Sequence, residues 1–185
     1  MMRVRKFSLF IAPLFALGML SCIDPDQTED AILNEDKKAI AEYLESNPIS
    51  SVQEFNDEVT GIQIFWQELS GSGVAAEIGD TLRVDYIGRL LTNQVFDTSI
   101  DSVARANNVF DANRNYVPIR FVLGRRSLID GFEFAVNQME SGDKATVIMP
   151  SIFGYGSNPP AGIPIDAPLI FELDLLQVVK GPDNN

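Results

Sequence analysis

From Gly61 onward the chain breaks into short apolar runs, rich in β-branched and aromatic residues and separated by glycine and aspartate. IQIFWQEL, TLRVDYIGRL, PIRFVLG, KATVIMP and LIFELDLLQVV each read as a strand on that ground. The last alternates cleanly, with Leu169, Phe171, Leu173 and Leu175 on one face and Glu172 and Asp174 on the other. Such alternation predicts an antiparallel sheet with one buried face and one wet face.

Two stretches carry helical spacing instead. In DGFEFAVNQMESGD, Phe132, Ala135, Val136 and Met139 fall at i, i+3, i+4 and i+7, Asp130 and Glu133 are spaced as a capping box, and Gly142 marks a stop. One short helix with a single apolar stripe must bury it across a sheet. The predicted fold is therefore α+β: a curved antiparallel sheet, a half-barrel, wrapped around one short helix. Upstream, AILNEDKKAIAEYLESNP places Ile32, Leu33, Ile40, Tyr43 and Leu44 near helical spacing, and Asn47-Pro48 ends the run. This amphipathic helix either packs on its own domain or mediates a dimer through residues 30–47, and its short stripe favours the first.

Composition narrows the chemistry. With 185 residues, 45% of them hydrophobic, the chain has room for one ordinary domain plus appendages. The net charge of −12 becomes −15 once the first 21 residues, with Arg3, Arg5 and Lys6, are set aside. So acidic a body repels nucleic acid phosphates, and no nucleic acid partner is expected. There is no histidine, and Cys22 is the single cysteine. Ser-His-Asp and Cys-His nucleophiles, zinc sites built from His or Cys, and internal disulfides are all excluded. Carboxylate chemistry, or catalysis by shape and backbone, is left.

The N-terminal MMRVRKFSLFIAPLFALGMLSC has a basic start, then an apolar run from Phe7 to Leu20 too short for a confident membrane span, then a small residue before cysteine. It reads as a secretory signal, and its MLSC resembles the lipobox of bacterial lipoproteins, with Met19 where leucine is usual. That resemblance makes Cys22 the lipid-modified first residue of an exported protein, anchored on the periplasmic or surface side of the envelope. An ordinary signal peptide with an unrelated cysteine nearby is the alternative. IDPDQTED, which follows, is an acidic spacer without apolar periodicity.

Two motifs fail on context. GSGVAA fits the dinucleotide pattern G-x-G-x-x-A, but EIGDTL follows where a phosphate-binding helix must begin. DANRNYVPIRFV starts like a calcium loop, but has Tyr116 at the glycine position and Val122 at the bidentate glutamate position. The proline-rich stretch FGYGSNPPAGIPIDAPLIFEL has its prolines single or paired and interrupted by glycine, which predicts a stiffened turn and not a polyproline helix.

Taken in order, GIQ, GSG, GDTLRVDYIGRL, VFDTS, RFVLG, SLIDGFEFAVNQM, SGDKATVIMP, FGYG, GIP and LIFELDLLQV make the stretch from about Gly61 to Val179 resemble the FKBP family of peptidyl-prolyl cis-trans isomerases. The resemblance implies a curved sheet around one helix, no metal or cofactor, and proline-containing unfolded or partly folded polypeptides as partners. It implies a proline pocket lined by Tyr86, Phe96, Leu128, Ile129, Phe132, Tyr155, Ile163 and Phe171, with Asp97 at its edge. The N–H of Ile129 and the hydroxyl of Tyr155 would meet substrate carbonyls. Asp97 would polarise the site, or alternatively orient Tyr86. Phe132 stands where the best-known members carry tryptophan, and Ile119 replaces an aromatic residue. Residues 100–118 form a longer loop than the family's and are expected to be an exposed flap. A non-enzymatic chaperone or proline-peptide binding module on the same fold is the rival reading. The expected organisation is a lipoprotein signal peptide over 1–21, an acidic linker and amphipathic helix over 22–57, an isomerase domain over 58–181 and a tail over 182–185.

Overall fold

A computed structural model describes residues 28–184; the expected signal peptide and Cys22 lie outside them. Along the chain run α1 (Glu29–Ser46), β1 (Gln53–Asn56), β2 (Gln63–Glu68), β3 (Thr81–Leu90), β4 (Val95–Thr98), α2 (Asp101–Ala106), β5 (Ile119–Val122), α3 (Asp130–Asn137), β6 (Lys144–Met149) and β7 (Leu169–Val179), with a 3₁₀ turn at Ser151–Phe153. The strands form one antiparallel sheet in the order β1-β2-β6-β7-β3-β4. The long β3 pairs with β7 along its whole length. Its other edge is shared: β5 pairs with Thr81 to Val84, and β4 with Ile87 to Arg89.

All five predicted strands are present. β1 and β4, which the pattern did not predict, read QEFN and VFDT, with one apolar residue and one adjacent apolar pair, so neither displays a period of two. A second correction concerns α2, a six-residue helix inside the stretch expected to be flap.

The sheet curves around α3, whose Phe132, Ala135, Val136 and Met139 stripe is almost fully buried among Val84, Tyr86, Phe171, Leu173 and Leu175. The capping box does not form. Ile129 is the N-cap and Asp130 is the first helical residue, so Glu133 sits one position too deep to reach back. Its carboxylate instead accepts from the N–H groups of Gly124, Ser127 and Leu128, at 3.0, 2.8 and 3.2 Å, and so folds the loop before α3. Nor does Gly142 end the helix, which stops at Asn137 with Gln138 as its cap; Gly142, at φ +94°, makes the turn into β6.

The opposite face is not uniformly wet. Ile40 of α1 packs with Phe65, Ile148 and Ile170 into a second apolar cluster, with Tyr43 and Leu44 against it, so the later part of the stripe lies on the chain's own sheet. Lys37 ties it to the β1–β2 loop by donating to the carbonyls of Glu58 and Val59.

Asp80 pins the sheet's end. It is fully buried and accepts from the N–H groups of Glu77 and Gly181, the Asn184 amide and the Lys180 ammonium. Burial alone pushes its carboxyl up, but these donors, Asn184 first, outweigh it and hold the group at about 2, below its ordinary 3.8. A carboxyl depressed on folding adds stability that is full above its unfolded value and lost as pH falls through the folded one. Asp80→Asn is therefore expected to cost on the order of 2 kcal/mol at pH 7 and to approach wild type near pH 2. Urea midpoints across that range check this; a cost that does not depend on pH would contradict it.

Candidate functional site

At one side of the sheet, β3, β4, β5, β7, the start of α3 and the loop after the 3₁₀ turn converge on a cavity of about 350 Å³. Its lining is Tyr86, Asp97, Ile119, Ser127, Leu128, Ile129, Phe132, Tyr155 and Phe171. Six of the eight predicted pocket residues are among these. Phe96 and Ile163 are not: Phe96 packs edge-on against Phe171 and Tyr155, with centroids 5.6 and 6.5 Å apart, and Ile163 belongs to the core. Phe96, partly buried, thus touches two of the lining rings.

The floor is an aromatic cluster. Phe132 meets Tyr86 at 6.0 Å, Phe121 at 6.1 Å and Phe171 at 5.4 Å, each nearly edge-to-face, the arrangement that ring quadrupoles favour. A phenylalanine at this position thus fills the floor by using several neighbours' edges. Gly88 makes the cluster possible: a Cβ there would lie 2.7 Å from Phe96 and 3.0 Å from Phe171.

Tyr86 is held at both ends. Its backbone N–H donates to the Ser99 hydroxyl at 2.9 Å and its carbonyl accepts from Thr98 Oγ1 at 2.7 Å. Its phenol donates to Asp97 Oδ2 at 2.6 Å and accepts from the Arg114 guanidinium at 2.9 Å. Burial pushes the phenol's pKa well up, with the hydrogen bond to Asp97 and its charge adding, so it stays protonated. Asp97 has its other oxygen engaged by the N–H of Thr98 and by Arg114. Burial opposes the charge on Arg114, but bonds to Asp97 and Tyr86 outweigh it and hold the guanidinium protonated. Both oxygens of Asp97 are thus occupied, one of them by the Tyr86 phenol.

Arg114 escaped sequence reasoning. It belongs to the stretch expected to be flap, which is ordered by a stack of its own: Arg105 lies 3.5 Å over the Phe110 ring, Phe110 stacks on Tyr116 at 5.4 Å, and Arg114 lies 5.2 Å from the Tyr116 centroid. Alternating cations and rings in a short, Asn-rich segment were the available signal.

Two of the lining residues keep a donor without a protein partner. Among the described residues, the N–H of Ile129 and the hydroxyl of Tyr155 have no hydrogen-bond partner. Burial, and secondarily the charge on Asp97, pushes the Tyr155 phenol up, so it is a proton donor at neutral pH. The site is thus an apolar floor flanked by two free donors, with an internally neutralised carboxylate at its edge. It suits a neutral, ring-sized apolar group attached to a backbone with carbonyls to satisfy.

Residues 73–176 match the family model described as FKBP-type peptidyl-prolyl cis-trans isomerase. Over 78 residues, 42% of this chain and 49% of the relative, the sequence is 46% identical to the short-type peptidyl-prolyl cis-trans isomerase of Methanocaldococcus jannaschii. It is 30% identical over 151 residues to FK506-binding protein 4 of Aspergillus fumigatus, covering 77% of this chain and 28% of that one. The chain spans about half the length, or less, of these curated relatives. Among solved structures, FkpA from Escherichia coli superposes with a TM-score of 0.60 at 23% identity, over 83% of this chain and 63% of that one. A peptidyl-prolyl cis-trans isomerase from Pseudomonas syringae pv. tomato gives 0.57 at 25% identity, over 84% and 98%.

Proposed function

The chain belongs to the FKBP-type peptidyl-prolyl cis-trans isomerase family, and from that premise we infer that its cavity accelerates rotation about X-Pro bonds in unfolded or partly folded polypeptides. The observation that carries the reading is the pair of unspent donors, Ile129 N–H and Tyr155 O–H, beside a floor of Phe132, Tyr86 and Phe171.

Rotation is slow because amide resonance imposes a barrier of roughly 18 to 20 kcal/mol. In the twisted transition state that resonance is lost, the carbonyl is less polar and the proline nitrogen becomes pyramidal. No covalent bond breaks, so no nucleophile is required. An apolar, water-poor cavity favours the twisted amide over the planar one, and seating the proline ring fixes one side of the rotor. Ile129 and Tyr155 each donate to a substrate carbonyl and hold the other side. A thousandfold acceleration asks for about 4 kcal/mol, within reach of oriented donors and desolvation together. Line-shape NMR of cis-trans exchange in a proline peptide tests this on the full-length chain; no acceleration at substoichiometric protein would sink it.

We propose further that the protein is exported, is lipid-anchored through Cys22 and assists folding of envelope proteins. The residue pattern of the first 22 positions supports this. Cys22→Ser is expected to abolish fatty-acid labelling and release the protein from membranes; labelling that survives the change would overturn the anchor.

A further inference from the structure

The helix α1 precedes the segment that the family model matches, yet it reaches the loop that carries Tyr155. Asp36 is buried on α1, and one of its oxygens accepts from both the N–H and the hydroxyl of Ser151, at 2.7 and 2.6 Å. Ser151, itself fully buried, opens the 3₁₀ turn. Its carbonyl in turn accepts from the N–H groups of Gly154 and Gly156 at 2.8 and 2.9 Å. These are the two residues on either side of Tyr155. Every polar group of Ser151 is thus committed, two to the helix and one to the glycine pair.

We propose that Asp36 is a positioning residue for Tyr155, acting through Ser151, so that α1 is a brace for the substrate-binding loop. Glycines leave the backbone around Tyr155 free to adopt Gly156's φ of +51°, but the same freedom lets the loop wander. A hydrogen-bond hub anchored in a packed helix removes that freedom. Among the described residues the Tyr155 hydroxyl has no hydrogen-bond partner, so the Phe96 ring beside it and the backbone on either side are what aim it. An acceptor oxygen is what the arrangement needs at position 36, and an amide supplies one as well as a carboxylate does.

The inference rests on the isomerase reading, and the test separates the two. In the full-length chain, Asp36→Ala is expected to lower kcat/KM about tenfold, because a donor displaced by a fraction of an ångström loses much of its effect. Amide exchange at Gly154 and Gly156 is expected to quicken about tenfold, and the Tyr155 ring resonances to shift. Asp36→Asn, which keeps the acceptor, is expected to stay within about twofold of wild type in all three readouts. Lys37→Ala loosens the same helix at the β1–β2 loop and is expected to leave the Gly154 and Gly156 amides unchanged. In a Tyr155→Phe background, Asp36→Ala is expected to add nothing further to the loss of activity. Unchanged glycine exchange in Asp36→Ala, equal losses in Asp36→Ala, Asp36→Asn and Lys37→Ala, or additive losses with Tyr155→Phe would each overturn the proposal. If the wild type fails to accelerate exchange, the isomerase reading falls, while the glycine amides and Tyr155 resonances still decide whether Asp36 positions the loop.

Discussion

Asp97→Ala is expected to lower kcat/KM for an X-Pro peptide by about 10- to 100-fold, the loss of one charge-assisted hydrogen bond at about 1.5 to 3 kcal/mol. The carboxylate touches Tyr86, Thr98 and Arg114 together. Without it, the Tyr86 phenol loses its acceptor while still facing the guanidinium, and its hydroxyl must turn toward the cavity or to water. The wall of the pocket then changes shape as well as polarity. Asp97→Asn separates the two roles that the residue can have. If it orients Tyr86, the amide oxygen still accepts the phenol's proton and most activity survives. If its charge polarises the rotating bond, Asn is as poor as Ala. Full activity in both variants would remove Asp97 from the site.

Phe171→Ala is expected to be the most destabilising single change, at about 3 to 5 kcal/mol. The ring is 3% exposed, and its centroid lies within 6.1 Å of those of Tyr86, Phe96 and Phe132. It also stands on β7, next to the glycine that admits it. Truncation leaves a void bordered by three rings that cannot all close on it. For a chain of this size the loss corresponds to a fall of roughly 6 to 20 °C in melting temperature. A urea midpoint that moves with an unchanged slope reads it cleanly. A cost under about 1 kcal/mol would mean that the ring cluster repacks, contrary to its described geometry.

Much of the cavity was legible before the fold was known, because its walls stand on regular elements. Phe171 is dictated by the alternation of β7, and Phe132 by the helical stripe of α3; Tyr86, Ile129 and Tyr155 followed from the order of motifs. What was not legible depends on distant parts of the chain meeting. Arg114 reaches Asp97 only because the loop after α2 folds on its own rings, and 115 residues separate Asp36 from Ser151. Glu133 was misread for a local reason: a one-residue shift in where α3 begins converts a cap into a clasp for the preceding loop. The face predicted to be wet is half covered because the partner of Ile170 lies on a helix outside the sheet altogether.

The divided edge of β3 has a consequence for how this surface can be altered. Thr98, the last residue of β4, pairs with Ile87, and Ile119, the first of β5, pairs with Val84. The whole excursion between them leaves and rejoins one strand within about 10 Å. A loop whose ends are so nearly joined adds only about 0.6 kcal/mol for each doubling of its length. The sheet therefore does not count the residues in this segment. It behaves as a socket, in which the pocket's rim can be lengthened or exchanged while the aromatic floor is left alone, provided the replacement still delivers a cation to Asp97.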